Sequence, residues 1–379
     1  MKVAVNVEQL LMPSPGGIGV YTAKLVSSLS DLGVEVQPVV ALHRSAAIGD
    51  AWAEFGLAGK LPPPARLYLP RAALYDAWHL VSWPPLSRDP ATDLFHAPSL
   101  AVPPRGRGPL VVTVHDAAHV LFPEAFTARG RWFHAMGLRA ATRRADLVIT
   151  GSQAAAGELA EHTAVPAGKI RVVPYGVDQG PPEPDPSVLA RYGLAGLPYV
   201  LWVGSMEPRK GVGTLVSAMA RLLKGNVTLG DTALVLTGYA GWRNASLIAE
   251  EDLVQLGPAL HRLGSVPARE LSALYAGAMV FAFPSSHEGF GLPVLEAMAA
   301  GVPVVASDIE ALAEVTAGAA VLVRPGEVDA WAGAIEALLQ NPARRATLAE
   351  RGRLRAAEFT WKRTASATLD VYREALGSS

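Results

Sequence analysis

The sequence contains no cysteine, which excludes disulfide bonds and thiolate metal sites. It has little net charge, with 33 basic against 34 acidic residues, and therefore no overall positive field that would attract nucleic acid. No apolar run approaches the roughly 18 residues of a membrane-spanning helix. The apolar run in the opening stretch, MKVAVNVEQL, is too short for the hydrophobic region of a signal peptide. We therefore expect a cytoplasmic protein that does not bind nucleic acid.

Several motifs that bind metals or activate nucleophiles are also missing. No two aspartates stand two apart, so the D-x-D pattern that holds a metal ion with a diphosphate is absent. The patterns G-x-x-x-x-G-K-[ST], H-E-x-x-H and G-x-S-x-G are absent as well. Because cysteine is missing and the histidines are scattered, we predict no required metal ion, and we expect no bound cofactor.

The chain does have enough apolar sequence for two domains. Its 379 residues, half of them hydrophobic, exceed the usual size of a single core. Short β-branched runs alternate with longer helical patterns, which predicts α/β domains whose parallel sheets are covered by helices. Strands are predicted at Lys2–Val7, Val34–Val40, Leu110–Val114, Leu147–Thr150, Ile170–Val173, Tyr199–Val203, Ala233–Thr237, Val280–Phe283 and Val304–Ala306. Helices are predicted at residues 20–32, at Gly213–Leu223 and near Ala245–Leu260.

A polar, proline-rich stretch, QGPPEPDPS at residues 179–187, separates the two halves. Its four prolines and its lack of apolar residues are typical of a linker. A second proline-rich stretch, Leu61–Leu86, predicts a long excursion inside the first domain. Two α/β halves joined by a linker imply a cleft between domains, and ligands of such sheets bind at the carboxyl ends of strands.

The most informative stretch is SSHEGFGLPVLEAMAAGVP, residues 285–303. Pro293 suits the first turn of a helix, and Gly301 ends it. Glu288 is therefore expected in the loop before the helix, and Glu296 about one turn inside it. The intervening glycines let a ligand approach the backbone, and the helix N-terminus favours phosphate. The structural alternative is a capped helix with two surface glutamates.

A second motif, VGSMEPRKG at residues 203–211, follows a predicted strand and precedes a predicted helix. Arg209 and Lys210 would then lie at the carboxyl end of the strand. A diphosphate could bind there to the guanidinium fork and to the ammonium group. A solvated Arg-Lys pair is the structural alternative.

Two further loops lie in the predicted first domain. PSPGGIGVYT, residues 13–22, is a glycine turn at a helix start that suits a phosphate or a closely packed sugar. It has Thr22 where the dinucleotide fingerprint has its third glycine, which weakens a dinucleotide interpretation. VVTVHDAAHVLFP, residues 111–123, places His115 after an apolar strand, where it could hydrogen-bond a substrate hydroxyl. A histidine whose hydrogen bonds are satisfied within the fold is the alternative.

A basic stretch at residues 129–144 carries no acidic residue. Its arginines are Arg129, Arg131, Arg139, Arg143 and Arg144. Aromatic and apolar residues are interleaved with them, so a helix here could dock on anionic lipid or grip a pyrophosphate-linked acceptor. The alternative is a helix packed on the core with solvated arginines.

Taken in order, these stretches resemble the retaining GT-B glycosyltransferases of family GT4 over nearly the whole chain. The E-x7-E element, Glu288 to Glu296, is the most specific part. GSMEPRKG resembles the phosphate-binding element of the family, and PGGIGVYT its N-terminal glycine loop. VVPYGVD resembles the end of its first domain, although Tyr175 stands where the family usually has asparagine. FTWKRTASATLDVYREAL, residues 359–376, resembles the helix that returns to the first domain.

The resemblance implies two Rossmann-like domains that face each other across a deep cleft. Residues 1–180 and the C-terminal helix 360–379 would form an acceptor-binding domain, and residues 181–359 a donor-binding domain. The implied reaction moves a hexose from a nucleoside-diphosphate sugar to a hydroxyl of a saccharide, lipid-linked or small glycoside acceptor. It retains configuration, with a donor phosphate oxygen helping to accept the proton, and it needs no metal ion.

Roles for individual residues follow from the same resemblance. Arg209 and Lys210 bind the donor diphosphate and stabilise it as it leaves. Glu288 lies by the donor sugar, Glu296 holds the ribose, and His115 contacts the transferring sugar. The other implied donor-binding residues are Gly16, Gly17, Gly204, Val266, Gly289, Phe290, Gly291 and Leu292, with the base near Leu263–Pro267.

Two other functions remain open from the sequence. A sugar-nucleotide epimerase on the same fold would need acid and base residues flanking C2 of the sugar, and no second cluster of this kind is evident. A catalytically degenerate nucleotide-sugar-binding subunit is disfavoured by the intact glutamates and basic pair. The sequences GGIGVYT and VHD…FPEAF most resemble those of mannosyltransferase-like members of the family, so GDP-mannose is the preferred donor. UDP-hexoses and dTDP-hexoses remain alternative donors. Residues 129–144 would add a peripheral contact at the inner face of the membrane.

Overall fold

The chain divides into two compact units. The computed structural model describes residues 1–180, 184–225, 229, 231–239 and 248–377. Unit 1 comprises Met1–Gly176 with Thr360–Ser379, and unit 2 comprises Val177–Phe359. The predicted boundary after residue 180 lies close to this division, and residues 181–183 of the predicted linker lie outside the described residues.

Unit 1 is built on a parallel sheet that has seven strands in the described part of the chain, in the order β3-β2-β1-β4-β5-β6-β7. The central strands are mostly apolar and buried along their whole length, because a parallel sheet covered on both faces has no solvent side. The strands are β1 (Lys2–Asn6), β2 (Glu35–Val40), β3 (Ala65–Arg66), β4 (Leu94–Ala97), β5 (Leu110–Thr113), β6 (Leu147–Thr150) and β7 (Ile170–Val172).

The strand order of unit 1 reverses at β1. The chain runs outward through β2 and β3, and then continues on the other side of β1 with β4. The carboxyl ends of β1 and β4 therefore form the topological switch point, where doubly wound sheets bind their ligands. The helices that connect these strands are α1 (Gly16–Asp31), α2 (Ser45–Glu54), α3 (Arg71–Leu80), α4 (Ala118–Leu121), α5 (Ala128–Arg144) and α6 (Gln153–His162). The predicted excursion, Leu61–Leu86, supplies β3 and α3.

Unit 2 repeats this plan with a parallel sheet in the order β10-β9-β8-β11-β12-β13. Here the reversal lies between β8 and β11, so their carboxyl ends are the switch point of unit 2. The strands are β8 (Tyr199–Val203), β9 (Ala233–Thr237), β10 (Leu260–Gly264), β11 (Val280–Phe283), β12 (Val304–Ser307) and β13 (Val321–Val323). The helices are α7 (Pro186–Arg191), α8 (Val212–Gly225), α9 (Glu250–Leu256), α10 (Ala268–Gly277), α11 (Leu292–Ala299), α12 (Glu310–Thr316), α13 (Val328–Leu339) and α14 (Pro342–Ala356).

The helix predicted near Ala245–Leu260 is wrong at its C-terminal end. The helix α9 stops at Leu256, because Gly257 adopts a φ of +46° and Pro258 follows it. The chain then enters β10 at Leu260. Residues 245–247 of the predicted helix lie outside the described residues.

The last helix, α15 (Trp361–Gly377), belongs to unit 1. Tyr372 on this helix is fully buried, and its hydroxyl lies 2.6 Å from Nδ1 of His96 on β4. The Thr364 hydroxyl donates to the carbonyl of Pro174 at 2.8 Å. Helix α15 therefore completes the core of unit 1. Within the described residues, no helix combines the length and the apolar character needed to cross a bilayer.

Candidate active site

Two loops lie side by side at the carboxyl edge of the sheet in unit 2. One follows β8 (residues 204–211) and the other follows the neighbouring strand β11 (residues 284–291). Gly211 ends the first loop with a φ of +65°, and a Cβ at this position would lie 2.0 Å from the carbonyl oxygen of Pro284. Only glycine fits there. The switch point of unit 2 thus brings two of the predicted motifs into contact.

Arg209, Lys210 and Glu288 form an ion cluster between these loops. The Nζ atom of Lys210 lies 2.5 Å from Oε1 of Glu288, and an NH1 atom of Arg209 lies 4.0 Å from Oε2 of the same carboxylate. The Lys210 and Glu288 side chains are only 10% and 9% exposed. Burial alone would raise the pKa of Glu288, but the adjacent Lys210 and Arg209 charges lower it below its usual range. The carboxylate is therefore held in its ionised form.

Arg209 is anchored by a carboxylate within its own loop. Its Nε atom donates to Oε2 of Glu207 at 3.0 Å, and the Ser205 hydroxyl donates to the other oxygen of Glu207 at 2.7 Å. NH1 of Arg209 also donates to the carbonyl of His287 at 3.4 Å. The guanidinium orientation is therefore set by both loops. The sequence prediction missed Glu207, although its position two residues before Arg209 was a signal for such a pair.

Glu296 lies inside α11, as predicted, and is bonded to an aromatic hydroxyl. Tyr275 on α10 donates to its Oε2 atom at 2.9 Å. Burial raises the pKa of Glu296 to about 7, and the negative charge of Asp178 adds to this rise. Tyr275 was not predicted, because it lies 21 residues before Glu296 in a different helix. This carboxyl is poised to change its protonation state near neutral pH.

The turn between the two glutamates contains Gly289, Phe290 and Gly291, and Leu292 then begins α11. Gly291 has a φ of +100°, and a Cβ there would lie 2.4 Å from Cδ2 of Leu312. Phe290 is buried, with its ring edge-on to that of Phe359. The turn therefore places the positive end of α11 directly after Glu288, as an anion site requires.

The two remaining donor-side candidates are Gly204, the first residue of the loop after β8, and Val266, in the loop after β10. Gly204 packs against Gly238, where a Cβ would lie 1.7 Å from the Gly204 carbonyl oxygen. Val266 is half-buried between β10 and α10. Since β10 is two places from β8 in the sheet, Val266 lies away from the ion cluster along the carboxyl edge.

Two of the predicted site features lie in unit 1: the glycine turn and His115. Gly16 and Gly17 form the first turn of α1, with a φ of +57° at Gly16. His115 follows β5, and its ring nitrogens lie 2.7 Å from the Tyr175 hydroxyl and 2.9 Å from the Pro98 carbonyl. Burial lowers the pKa of His115. A sugar could bind this imidazole only by displacing one of these partners, so the geometry agrees with the structural alternative.

The arginines of residues 129–144 lie on α5, and three of them bond to other parts of unit 1. Arg129 pairs with Asp76 at 2.7 Å, and Arg131 donates to the carbonyls of Pro123 and Phe126. Arg144 donates to the carbonyl of Trp78 at 2.9 Å. The two that remain are exposed at the surface, Arg139 and Arg143.

Family models match both units. The model described as Glycosyltransferase Family 4 matches residues 15–180, and the model described as Glycosyl transferases group 1 matches residues 192–355. O-antigen chain mannosyltransferase B of Escherichia coli is 31% identical over 390 residues, which cover 98% of this chain and all of that protein. MMP alpha-(1->4)-mannosyltransferase of Mycolicibacterium hassiacum is 34% identical over 284 residues, which cover 71% of this chain and 66% of that protein.

Solved structures of low sequence identity share the architecture. HepE of Anabaena in complex with UDP and glucose superposes with a TM-score of 0.74 at 20% identity, covering 99% of this chain and all of that one. Sucrose-phosphate synthase from Thermosynechococcus elongatus gives 0.71 at 24% identity, with full coverage of both chains. The predicted α/β architecture, GT-B with two Rossmann-like domains, is confirmed.

Proposed function

The chain belongs to glycosyltransferase family 4, and we propose that it moves mannose from GDP-mannose to a saccharide hydroxyl with retention of configuration and without a metal ion. Glycosyltransferase chemistry with a nucleotide sugar follows from the family itself. The choice of mannose is supported by two relatives that are named as mannosyltransferases. The acceptor class that we propose is a saccharide, either lipid-linked or a small glycoside.

The observation that carries the proposal is the ion cluster of Arg209, Lys210 and Glu288 at the switch point of unit 2. Cleavage of the donor leaves negative charge on the diphosphate, and two cations fixed before the reaction stabilise it without reorganisation. The N-terminus of α11 adds partial positive charge beside them. Glu296, with its Tyr275 partner, supplies acceptor oxygens for the ribose hydroxyls.

The position of Glu288 favours direct transfer on one face of the sugar. Its carboxylate is shared between Lys210 and Arg209, so it is better suited to stabilising positive charge on the sugar ring than to attacking the anomeric carbon. In this mechanism the bond from the anomeric carbon to the phosphate oxygen breaks. The bond to the acceptor oxygen forms on the same face, and the acceptor proton passes to the leaving phosphate.

A direct test compares GDP-mannose, UDP-glucose and dTDP-glucose as donors for the purified chain, with a panel of mannosides as acceptors and EDTA present throughout. We expect the fastest release of nucleoside diphosphate from GDP-mannose, and an α-mannoside product by NMR. Glu288→Gln should lose most turnover while still binding GDP.

Each part of the proposal has its own contrary result. Faster turnover of a UDP or dTDP sugar would overturn the donor, and a β-mannoside would overturn retention. Rescue of an EDTA-inactivated enzyme by Mg²⁺ or Mn²⁺ would overturn metal independence. If the chain forms an epimerised sugar nucleotide from the donor alone, the epimerase function would be favoured over glycosyl transfer.

A further inference from the structure

Unit 1 buries a carboxylate that the proposed reaction does not use. Glu8 follows β1 and is fully inaccessible to solvent. Its Oε2 atom accepts a hydrogen bond from the backbone N–H of Ala41 at 2.8 Å, and its Oε1 atom lies 2.6 Å from Nε2 of His43. A buried carboxylate is costly unless both oxygens are partnered. Here both are, by two residues that follow β2.

His43 connects this buried group to the surface. Its side chain is 20% exposed, whereas that of Glu8 is not exposed at all. The contact with Glu8 engages Nε2, so the carboxylate favours the imidazole tautomer that carries its proton on Nε2. In that tautomer Nδ1 is a hydrogen-bond acceptor. Within the described part of the chain, Nδ1 of His43 has no hydrogen-bond partner.

Two polar groups of α3 lie close to the Glu8–His43 pair. The Tyr75 hydroxyl is buried and has no hydrogen-bond partner among the described residues. Burial raises the pKa of Tyr75, Glu8 raises it further by its charge, and Arg71 opposes the rise, so all three groups share one electrostatic environment. Arg71 lies one helical turn before Tyr75 and also donates to the carbonyl of Leu11 at 3.4 Å.

The cluster occupies the carboxyl edge of the sheet at its switch point. Gln9, next to Glu8, donates to the Ser99 hydroxyl beyond β4 at 3.0 Å, which links the loops after β1 and β4. Exposed apolar side chains are found after β2 and β3, with Leu42 52% and Tyr68 73% exposed. A sugar ring offers hydroxyls at its edge and an apolar face, and both find partners on such a surface.

We propose that Glu8, His43, Arg71 and Tyr75 form a subsite for hydroxyl groups of the saccharide acceptor. The inference rests on the proposed glycosyltransferase function and deepens it by naming the acceptor-side residues. The cluster provides an acceptor at His43 Nδ1, donors on Arg71, and a Tyr75 hydroxyl that serves as either. Vicinal hydroxyls, each both donor and acceptor, complement this set. Glu8 and Arg71 carry opposite charges, so the cluster suits a neutral polyol better than a phosphate.

The test uses saturation-transfer NMR of the full chain with methyl α-D-mannopyranoside, and with inorganic phosphate as a competing ligand. We expect His43→Ala and Tyr75→Phe each to weaken glycoside binding about tenfold, since each removes one hydrogen bond to the ligand. Tyr75→Phe removes a single oxygen that has no hydrogen-bond partner in the described part of the chain, so this variant is expected to fold even if the histidine variant does not. His162→Ala, an exposed histidine at the end of α6, is the matched control and should bind like wild type.

Binding of GDP and UDP, measured by calorimetry on the same variants, should stay within about twofold of wild type, because neither substitution changes a residue of unit 2, which carries Arg209, Lys210 and Glu296. This measurement reports on unit 2, so failure of the subsite is distinguishable from failure of the proposed function. The inference is overturned by undiminished glycoside binding in both variants, by absence of glycoside binding to wild type, or by phosphate displacing the glycoside.

Discussion

The ion pair between Lys210 and Glu288 should contribute to function and stability in separable ways, and neutral substitutions of similar shape can separate them. Lys210→Met and Glu288→Gln each remove one charge and leave the other buried in unit 2. Both side chains are at most 10% exposed, so solvent screens the abandoned charge very little. Each single variant should therefore unfold more readily than wild type.

The size of the effect follows from what remains around each abandoned charge. Removing one partner of a buried pair costs about 3–5 kcal/mol. In Lys210→Met the Glu288 carboxylate still has Arg209 at 4.0 Å, so we expect the lower end of that range. In Glu288→Gln the ammonium group is left beside Arg209, a like charge, so we expect the upper end. The double variant leaves no unpaired charge in this pair, so it should be more stable than either single variant, and the two single losses should be far from additive.

Urea unfolding followed by tryptophan fluorescence measures these differences, since Trp202 and Trp331 are buried in unit 2. Transfer activity is measured on the same samples. The double variant should regain stability and remain inactive, because the diphosphate has lost a cation and the sugar a carboxylate. The lowered pKa of Glu288 adds a pH test. Its stabilising effect is present above the pKa of an unfolded glutamate and is lost as pH falls through the lower folded value, so wild type and Lys210→Met should converge in acid.

A double variant no more stable than either single one would refute the reasoning, because removing the second charge would then give none of the expected relief. Single variants within about 0.5 kcal/mol of wild type would equally show that water screens the pair. Full activity in the double variant would show that the ion pair is not needed for the reaction.

Three further predictions concern other parts of the chain. The pKa of Glu296 is raised to about 7, so its protonation should weaken GDP binding as pH falls from 8 to 6. The 2′,3′-dideoxy analogue of GDP should lose affinity only as far as its own phosphates titrate. Equal pH dependence of the two ligands in calorimetry would contradict the ribose role. Glu207→Ala should weaken pyrophosphate binding although it removes a nearby negative charge, because Arg209 loses its anchor. Glu207→Gln should bind pyrophosphate at least as well as the alanine variant. Tighter pyrophosphate binding in Glu207→Ala would show that charge repulsion dominates. If α5 docks on membranes, the chain should co-sediment with anionic but not with neutral vesicles at low salt. The double substitution Arg139→Glu/Arg143→Glu should abolish this co-sedimentation. Equal partitioning to both vesicle types would show that these two arginines have no role in membrane binding.

The strands and loops that carry the candidate site of unit 2 were predictable because they combine strong local signals. Short apolar runs predicted β8 and β11, and parallel strands place their carboxyl ends at one edge of the sheet. The family resemblance assigned Arg209, Lys210 and Glu288 to one donor site, and the structure brings these three side chains together. The family resemblance identified Glu296 and the glycine turn, whose geometry depends on residues close in sequence.

Features that depend on distant pairings could not be predicted in this way. The Tyr275–Glu296 and His43–Glu8 contacts join residues 21 and 35 positions apart, and no local pattern encodes either partner. Four strands were not predicted: β3, β4, β10 and β13. Two of these lack a local signal. The β3 strand has two exposed residues, and the edge strand β10 carries His261 and Arg262, so neither shows the apolar run that marks a buried strand.

The membership of α15 in unit 1 has a consequence for how the chain is made. The ribosome synthesises this helix only after all of unit 2. The core of unit 1 therefore cannot be completed until residues some two hundred positions later have been added. Until Tyr372 arrives, the side of His96 that it covers is open, whereas unit 2 is contiguous in sequence and can fold on emergence. Unit 2 is thus expected to be the first part of the nascent chain to become resistant to protease. A chain interrupted after Phe359 would contain all of unit 2 but would lack α15, which unit 1 needs to complete its core.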